Sequence, residues 1–396
     1  MTNSKLVPRR RFKEFESDGE WEQKILSELA EVEGGGTPST VNPQYWDGDI
    51  DWYTPAEIGE NVFVGQSKRK ITVMGLEKSS AKILPIGTVL FTSRAGIGKT
   101  AILAREGCTN QGFQSIVPKE DLLASYFVYS QSNKLKQYGE RIGSGSTFVE
   151  VSGKQMSEMP LIIPSIFEQK ELGDFFQTID SLISNHQHKL DKLKNLKKAY
   201  LSEMFPAEDE RVPKRRFPGF EDEWEQRKVS DLFKITRGYV LAATKTESHK
   251  SDRLPYPVYS SQTKDKGLMG FYSEYLYEDA ITWTTDGANA GEVNYRKGKF
   301  YCTNVCGVLL SKEVQADQMI AEAINNVAKK YVSYVGNPKL MNNVMAEIEI
   351  KIPSTSQERI KISQFFSAID KQISLQQQKL DKLNDLKKAY LNELFV

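Results

Sequence analysis

The sequence predicts an α+β protein with a pseudo-twofold internal repeat: two globular domains, each of mixed sheet plus helices, joined by two long antiparallel coiled-coil helices. Three observations carry that prediction. Residues 189–205, KLDKLKNLKKAYLSEMF, recur as 379–395, KLDKLNDLKKAYLNELF, with 13 of 17 positions identical at an offset of 190. The segment PRRRFKEFESDGEWEQK from Pro8 reappears as PKRRFPGFEDEWEQRK from Pro213, which sets Trp21 opposite Trp224. Between these shared flanks the interiors, residues 36–160 and 239–350, diverge almost throughout. A constant scaffold around dissimilar interiors is what a recognition protein requires.

The repeat divides the chain in order. Residues 1–20 close the repeat, 21–163 form a first domain, 164–205 a first spacer helix, 206–223 a linker, 224–352 a second domain and 353–396 a second spacer helix. Both domains carry strand and turn signals. Residues 168–205 hold no proline and one glycine, with Leu172, Phe176, Ile179, Ile183, Leu190, Leu193, Tyr200 and Met204 stepping by alternate fours and threes along a heptad seam. The second copy steps through Ile362, Phe366, Ile369, Ile373, Leu380, Leu383, Tyr390 and Leu394. Two equal seams predict one helix pair. Polar residues fall at matching seam positions, His186 with Gln376 and Lys197 with Lys387; they either fix register at some cost in stability or face a partner protein. At 1.5 Å per residue the 38 residues 168–205 make a rod of about 57 Å. Because a domain-sized stretch precedes each rod, the rods read as spacers. The linker repeats the N-terminal segment, so residues 1–20 are expected to meet the end of the second helix as the linker meets the end of the first.

Composition excludes more than it identifies. With 39% hydrophobic and 27% charged residues, and Pro85 and Gly87 breaking the longest apolar stretch, a membrane span is excluded. The N-terminal MTNSKLVPRRRF lacks the apolar core of a signal peptide, and three cysteines, Cys108, Cys302 and Cys306, argue against a disulfide framework. A reducing cytoplasm is expected. Fifty-three basic against 52 acidic residues leave a net charge of +1, which by itself gives no hint of nucleic acid.

Several segments together resemble a known family. They are GGTPST at 35–40, YWDGDIDWYTPAEIG at 45–59, RAGIGKTA at 94–101 and TNQGF at 109–113 in the first interior, and YPVYSS at 256–261, TTDGANAG at 284–291 and GNPKLMNN at 336–343 in the second. With the duplicated KLDKL and LKKAYL helices, they make nearly the whole chain similar to the specificity subunit of type I restriction-modification systems. The resemblance implies that each interior is a target-recognition domain reading one half of a bipartite, asymmetric DNA site. It implies that the paired helices set the spacing and dock methyltransferase subunits, and that the chain itself is not an enzyme. Its expected partners are double-stranded DNA, two modification (methyltransferase) subunits and restriction/translocase subunits. S-adenosylmethionine, ATP and Mg are expected on those partners, with no cofactor or metal bound by this chain. The readings from other classes are a free-standing adenine DNA methyltransferase and a structural coiled-coil adaptor.

Candidate contact residues follow from charge and loop chemistry. Residues 31–60 carry seven acids and no base, whereas 68–105 carry eight bases and one acid. Lys68, Arg69, Lys70, Arg94, Lys99 and Arg105 therefore form either one basic face against DNA or a solvated surface. AGIGKT at 95–100 is similar to a phosphate-binding loop, but the first glycine of that pattern is Ser93. The alternatives are a DNA-approaching loop, with Thr92, Ser93, Arg94 and Lys99 toward phosphate or base, and a plain hairpin turn. TTDGANAGE at 284–292 stands in its place in the second interior, and Cys108-Thr109-Asn110 is mirrored by Cys302-Thr303-Asn304. The corresponding contacts are Tyr259, Ser260, Ser261, Gln262, Thr285, Asp286 and Asn289, with Arg237, Lys245, Lys250, Arg253, Lys264 and Lys266 as nearby bases.

Three further patterns are read as structure. NPQY at 42–45 is similar to the Asn-Pro-Pro-aromatic motif of adenine methyltransferases, but Gln44 replaces the second proline and no Gly-rich cofactor fingerprint follows a strand. Glu349-Ile350-Lys351 has nuclease-like spacing inside MAEIEIKIP, which alternates like a strand. Cys302 and Cys306 lack the additional ligands of a zinc site and read as buried thiols.

Overall fold

The computed structural model describes residues 5–94, 96–143, 150–261 and 265–396. It divides into two compact units, residues 1–186 with 379–396, and residues 187–378. Each unit joins one interior to segments of both long helices, so the helices are not units apart from the domains.

The shared flanks are hydrogen-bonded to one another. In the first unit the strand Glu22–Ile25 pairs antiparallel with Pro160–Ile163, Glu22 opposite Ile163. The second unit repeats this with Glu225–Lys228 and Glu349–Ile352, Glu225 opposite Ile352. The alternation in MAEIEIKIP is thus a strand's: Ile350 and Ile352 are buried and Glu349 is exposed. Lys351 donates from Nζ to the carbonyls of Ala207 and Glu210, 2.6 Å each, tying that strand to the linker.

Both interiors are built on mixed sheets. The first holds a five-stranded sheet in the order Ala30–Gly34, Gln114–Pro118, Val89–Phe91, Thr100–Leu103, Phe63–Val64, and a three-stranded sheet in the order Arg69–Ile71, Trp46–Tyr53, Cys108–Thr109. The second holds one six-stranded sheet in the order Phe233–Arg237, Cys306–Ser311, Tyr277–Thr284, Val293–Cys302, Tyr256–Tyr259, Leu268–Tyr272. Most pairs are antiparallel, but Phe63–Val64 runs parallel to Thr100–Leu103, Trp46–Tyr53 to Cys108–Thr109, and Tyr256–Tyr259 to Val293–Cys302.

The long helices run Ile166–Met204 and Ser356–Leu394, 39 residues each, or about 58 Å. Each begins at a hydroxyl: Ser165 Oγ accepts from the amide of Glu168, and Thr355 Oγ1 from that of Glu358, both at 3.4 Å. The spacing predicts that the glutamates fold back on the cap. They are instead fully buried and each is gripped by an arginine from outside the helix. Arg11 donates to Glu168 from Nε at 2.8 Å and Nη2 at 2.6 Å, and Arg216 to Glu358 at 2.6 and 2.8 Å. These two-pronged contacts dock the N-terminal segment and the linker at equivalent places.

The helix ends are met as the repeat predicts. Trp21 packs 6.2 Å from Phe395, and Arg10 pairs with Glu393 at 3.1 Å. In the second unit Trp224 packs 5.7 Å from Phe205, and Arg215 pairs with Glu203 at 2.5 Å.

Within each unit the two helix segments lie antiparallel. In the first, Lys387 Nζ is 2.5 Å from Asp180, and Tyr390, further toward the C-terminus, stacks 5.0 Å from Phe175, further toward the N-terminus. In the second, Lys197 Nζ is 2.7 Å from Asp370 and 2.5 Å from Glu322, and Tyr200 stacks 4.9 Å from Phe365. The seam is the one read from the sequence. Phe176, Ile179, Leu190, Phe366, Ile369 and Leu380 are buried, and Ile183, Leu193, Tyr200, Ile373, Leu383 and Tyr390 are half-buried, as are His186 and Gln376.

Burial pulls the Lys197 ammonium downward, but Glu322 and Asp370 outweigh it and hold the group above its ordinary value. A raised lysine stabilises the fold fully below the unfolded value of about 10.4, and that contribution is lost as pH rises through the folded value. Lys197→Met, which leaves two carboxylates facing each other, is expected to destabilise the second unit by about 3 kcal/mol in urea denaturation at neutral pH. The alkaline decline of stability should be correspondingly shallower in the variant.

Candidate nucleic-acid interface

The two interiors share a hydrogen-bond frame that their sequences conceal. The amide of Ser93 donates to the carbonyl of Gly112, and that of Thr285 to Val305, both at 2.9 Å. The amide of Asn110 donates to Tyr53 at 3.0 Å, and that of Thr303 to Tyr259 at 2.9 Å. Thr92 bridges Phe113, and Thr284 pairs with Cys306. Counting along these bonds sets Thr109 opposite Cys302 and Asn110 opposite Thr303. The mirror of Cys108-Thr109-Asn110 in Cys302-Thr303-Asn304 is therefore out of step by one residue, a correction to the sequence alignment.

The same frame supports the matching of the two glycine-bearing loops. The amide of Gly98 donates to Thr92 and that of Thr92 to Lys99, both at 3.0 Å; Gly291 donates to Thr284 at 2.9 Å and Thr284 to Glu292 at 3.0 Å. Gly98 and Gly291 both adopt left-handed backbone, φ 93° and 82°. The bonds of Thr92 with Gly98 and Lys99 thus close a hairpin between the antiparallel strands Val89–Phe91 and Thr100–Leu103. A phosphate-binding loop would lead from a strand into a helix, and here a strand follows.

Three of the residues expected at the interface are misassigned. Thr92 and Ser93 are 0% exposed and Thr285 is 8% exposed, so none presents its side chain to a partner. Thr92 Oγ1 donates to the carbonyl of Gly96 at 2.7 Å and accepts from the amide of Lys99 at 3.0 Å, holding the hairpin shut. Thr285 Oγ1 lies 2.8 Å from Asp286 Oδ2 and 2.9 Å from the carbonyl of Val305. The two threonine hydroxyls are consumed in building the loops, as buried polar groups with partners in reach are, whereas the Ser93 hydroxyl is buried with no hydrogen-bond partner among the described residues.

The remaining residues reach the surface in two settings. Lys68, Arg69 and Lys99 are exposed, and Lys70 and Arg94 are half-buried. The Arg69 guanidinium lies 3.7 Å over the Trp46 ring, and Lys70 Nζ is 3.4 Å from the buried Asp51. The turn Pro55–Glu57 stands between Lys68 and Lys99: Glu57 accepts from the amides of Thr54 at 2.9 Å and Lys68 at 2.6 Å, and the Lys99 side chain lies beside Gly59. Of the basic face, Lys68 and Lys99 therefore flank one turn, while Arg69 and Lys70 are drawn into local contacts. In the second unit Ser261 is exposed, and Tyr259, Ser260, Asp286 and Asn289 are half-buried. Thr303 donates to Ser260 Oγ at 2.8 Å. Asp286 is 3.7 Å from Lys339, and the amide of Gly287 donates to Pro338 at 3.0 Å, which joins TTDGANAG to GNPKLMNN. Gln262 and Lys264 lie outside the described residues.

Sequence reasoning missed Glu57 and Arg296. A Thr54-to-Glu57 capping pattern marks the first. Nothing distinguishes Arg296 from Lys297 and Lys299 in NYRKGK, yet its guanidinium is buried and lies 3.7 Å over Tyr259. The thiols are buried too. Burial pushes Cys108 up to about 12 and Cys306 to about 11, and Cys302 upward as well, so all three are neutral near pH 7. No cluster of metal-ligating side chains occurs among the described residues.

Comparison with known proteins places this architecture. The family described as type I restriction modification DNA specificity domain matches the chain twice, over residues 18–195 and 221–385. The chain belongs to that family. The type I restriction enzyme MjaIX specificity subunit of Methanocaldococcus jannaschii is 32% identical over 236 residues, 55% of this chain and 53% of that relative. The chain thus spans about half the length of that relative. The EcoprrI specificity subunit of Escherichia coli is 22% identical over 353 residues, 84% of each chain. The crystal structure of the type I restriction-modification S subunit from M. genitalium shares the fold, with a TM-score of 0.72 and 14% identity over 99% of both chains. The family's two matched spans coincide with the two halves of the repeat.

The hairpin glycines provide a test of the loop geometry. A Cβ at Gly98 would lie 2.5 Å from Lys136 Cβ and 2.8 Å from Lys136 Cα, whereas at Gly96, also left-handed at φ 105°, it would approach nothing closer than Lys99 Cε at 4.0 Å. Gly96→Ala is expected to cost about 1–2 kcal/mol from backbone strain alone. Gly98→Ala should cost distinctly more, read as a larger drop in the urea midpoint.

Proposed function

We propose that this chain is the DNA sequence-specificity subunit of a type I restriction-modification complex, and that each interior reads one half of a bipartite, asymmetric site in double-stranded DNA. The observation that carries this reading is one frame used twice. Equivalent ion pairs, Lys387 with Asp180 and Lys197 with Asp370, hold equivalent helix segments, while the loops built on equivalent backbone bonds carry different side chains. Identical scaffolds make the two readers equivalent, and dissimilar loops make their targets differ. The continuous helices, each about 58 Å long, are spacers that set the gap between the half-sites.

The outer face of the helices supports docking of two modification subunits. Lys192, Leu196 and Lys198 are exposed and recur as exposed Lys382, Leu386 and Lys388. The seam does not use them, and Leu196 and Leu386 are 45% and 44% exposed. A surface that stays the same in both halves suits two copies of one partner. Methyl transfer with S-adenosylmethionine, and ATP- and Mg-dependent translocation and cleavage, belong in this reading to partner methyltransferase and restriction/translocase subunits. The chain itself binds no cofactor and catalyses nothing; tight binding of labelled S-adenosylmethionine by the purified chain alone would count against this.

Three outcomes are expected of the assembled complex. Removing one heptad from both helices should shorten the gap in the methylated site by about three base pairs, since seven residues rise about 10 Å and each base pair about 3.4 Å. Replacing residues 239–350 by the interior of another specificity subunit should change one half-site only; a change in both halves would refute the modular reading. Leu196→Glu with Leu386→Glu should abolish co-purification of the methyltransferase while the chain alone keeps its melting temperature.

A further inference from the structure

Arg296 poses a problem that the first interior shows the fold can avoid. Its side chain is 7% exposed, and among the described residues it pairs with no carboxylate. It donates from Nε to Thr282 Oγ1 at 2.9 Å and from Nη2 to the carbonyl of Lys266 at 2.6 Å, with its face against the Tyr259 ring. Burial draws its pKa below the ordinary value. A buried charge with no carboxylate in direct contact, only the more distant Glu292, is costly and is retained where something other than stability requires it.

The shared frame identifies what stands at the same place in the first unit. Phe91 pairs with Thr100 as Trp283 pairs with Val293. Counting three residues on along the second strand sets Leu103 at the position of Arg296. Counting one back along the first sets Leu90 at that of Thr282, and the parallel pairing sets Tyr53 at that of Tyr259. Leu90, Leu103 and Tyr53 form a dry cluster, all at most 1% exposed. The architecture therefore closes with two leucines.

What Arg296 adds is a hold on two adjacent strand ends. Tyr259 and Ser260 end one strand, and Asp265, Lys266 and Gly267 lead into the antiparallel strand beside it; the amide of Ser260 donates to Gly267 at 2.8 Å. The lead-in to the second strand is strained, since Asp265 and Lys266 are left-handed at φ 49° and 51°, a conformation L residues adopt only when held. The guanidinium supplies that hold, with Tyr259 stacked on its face and the Lys266 carbonyl on its edge.

We infer that Arg296 is a positioning residue for DNA reading by the second domain, fixing the strand end that presents Ser260 and Ser261 where the first domain uses an apolar lock. The inference rests on the proposed reading that this surface meets DNA. Its test is the assembled methyltransferase complex, challenged with randomised duplex and read by sequencing the methylated products, with melting temperature of the chain measured in parallel.

The variant Arg296→Leu with Thr282→Leu installs the leucine pair of the first unit. Its melting temperature should be unchanged or raised, while enrichment of the half-site read by the second domain falls about tenfold or more and the other half-site is kept. Arg296→Lys keeps the charge but loses the planar fork, and should lose the same selectivity. A folded double variant that selects as wild type does, a lysine variant with full selectivity, or a double variant that no longer folds each overturns the positioning role. If the wild-type complex selects no half-site at all, it is the DNA-recognition reading itself that fails.

Discussion

Asp180 and Asp370 each face a seam lysine from the opposite helix, Lys387 and Lys197, at 2.5 and 2.7 Å. The apolar seam positions alone would tolerate a slip of one heptad, because leucine, isoleucine and phenylalanine pack acceptably in several registers. A half-buried lysine would not, since a slip separates it from its carboxylate and leaves both charges desolvated. This register constraint settles where the helix ends lie within each unit. From it follow the contacts of Phe395 with Trp21 and of Phe205 with Trp224. The arginine grips on Glu168 and Glu358 add a second anchor at the opposite ends of the same helices.

On that scaffold the interiors vary without losing their frame. Backbone hydrogen bonds hold the loop after Phe91 and the loop after Trp283 in equivalent positions, and these bonds do not depend on side-chain identity. The side chains are then free to differ, so that Lys99 in one loop stands where Glu292 does in the other. Even the core beneath has drifted, from Leu90 and Leu103 to Thr282 and Arg296. Divergence of this kind separates the requirements of folding, met by backbone and seam, from those of recognition, met by loops.

How much was legible beforehand follows the distance over which each feature is decided. The seam from Leu172 to Met204 repeats every seven residues, so its buried face could be counted from the chain, and the strand at Glu349–Ile352 showed in its alternation. The loop residues were harder. Thr92, Ser93 and Thr285 are polar residues in glycine-bearing segments, which in the sequence look the same whether their hydroxyls face outward or close a hairpin. Only their surroundings decide the matter: the Thr92 hydroxyl bonds Gly96, that of Thr285 bonds Val305 about twenty residues away along the chain, and Ser93 is buried by the backbone bond of its amide to Gly112, its hydroxyl having no partner among the described residues. The one-residue error in matching Cys108 to Cys302 has the same origin, because identity in a three-residue string weighs less than the register of the strands containing it.

By itself, then, the chain determined its duplication, the length and seam of its helices, the closure of each repeat by its flanks and the family to which it belongs, because all of these rest on periodicity and on repetition over many residues. The tertiary structure alone decided which polar side chains remain free for a partner, that Glu168 and Glu358 hold arginines, and that a guanidinium lies buried against the Tyr259 ring. Those outcomes depend on desolvation and hydrogen bonding among groups far apart in sequence, and no local pattern encodes them.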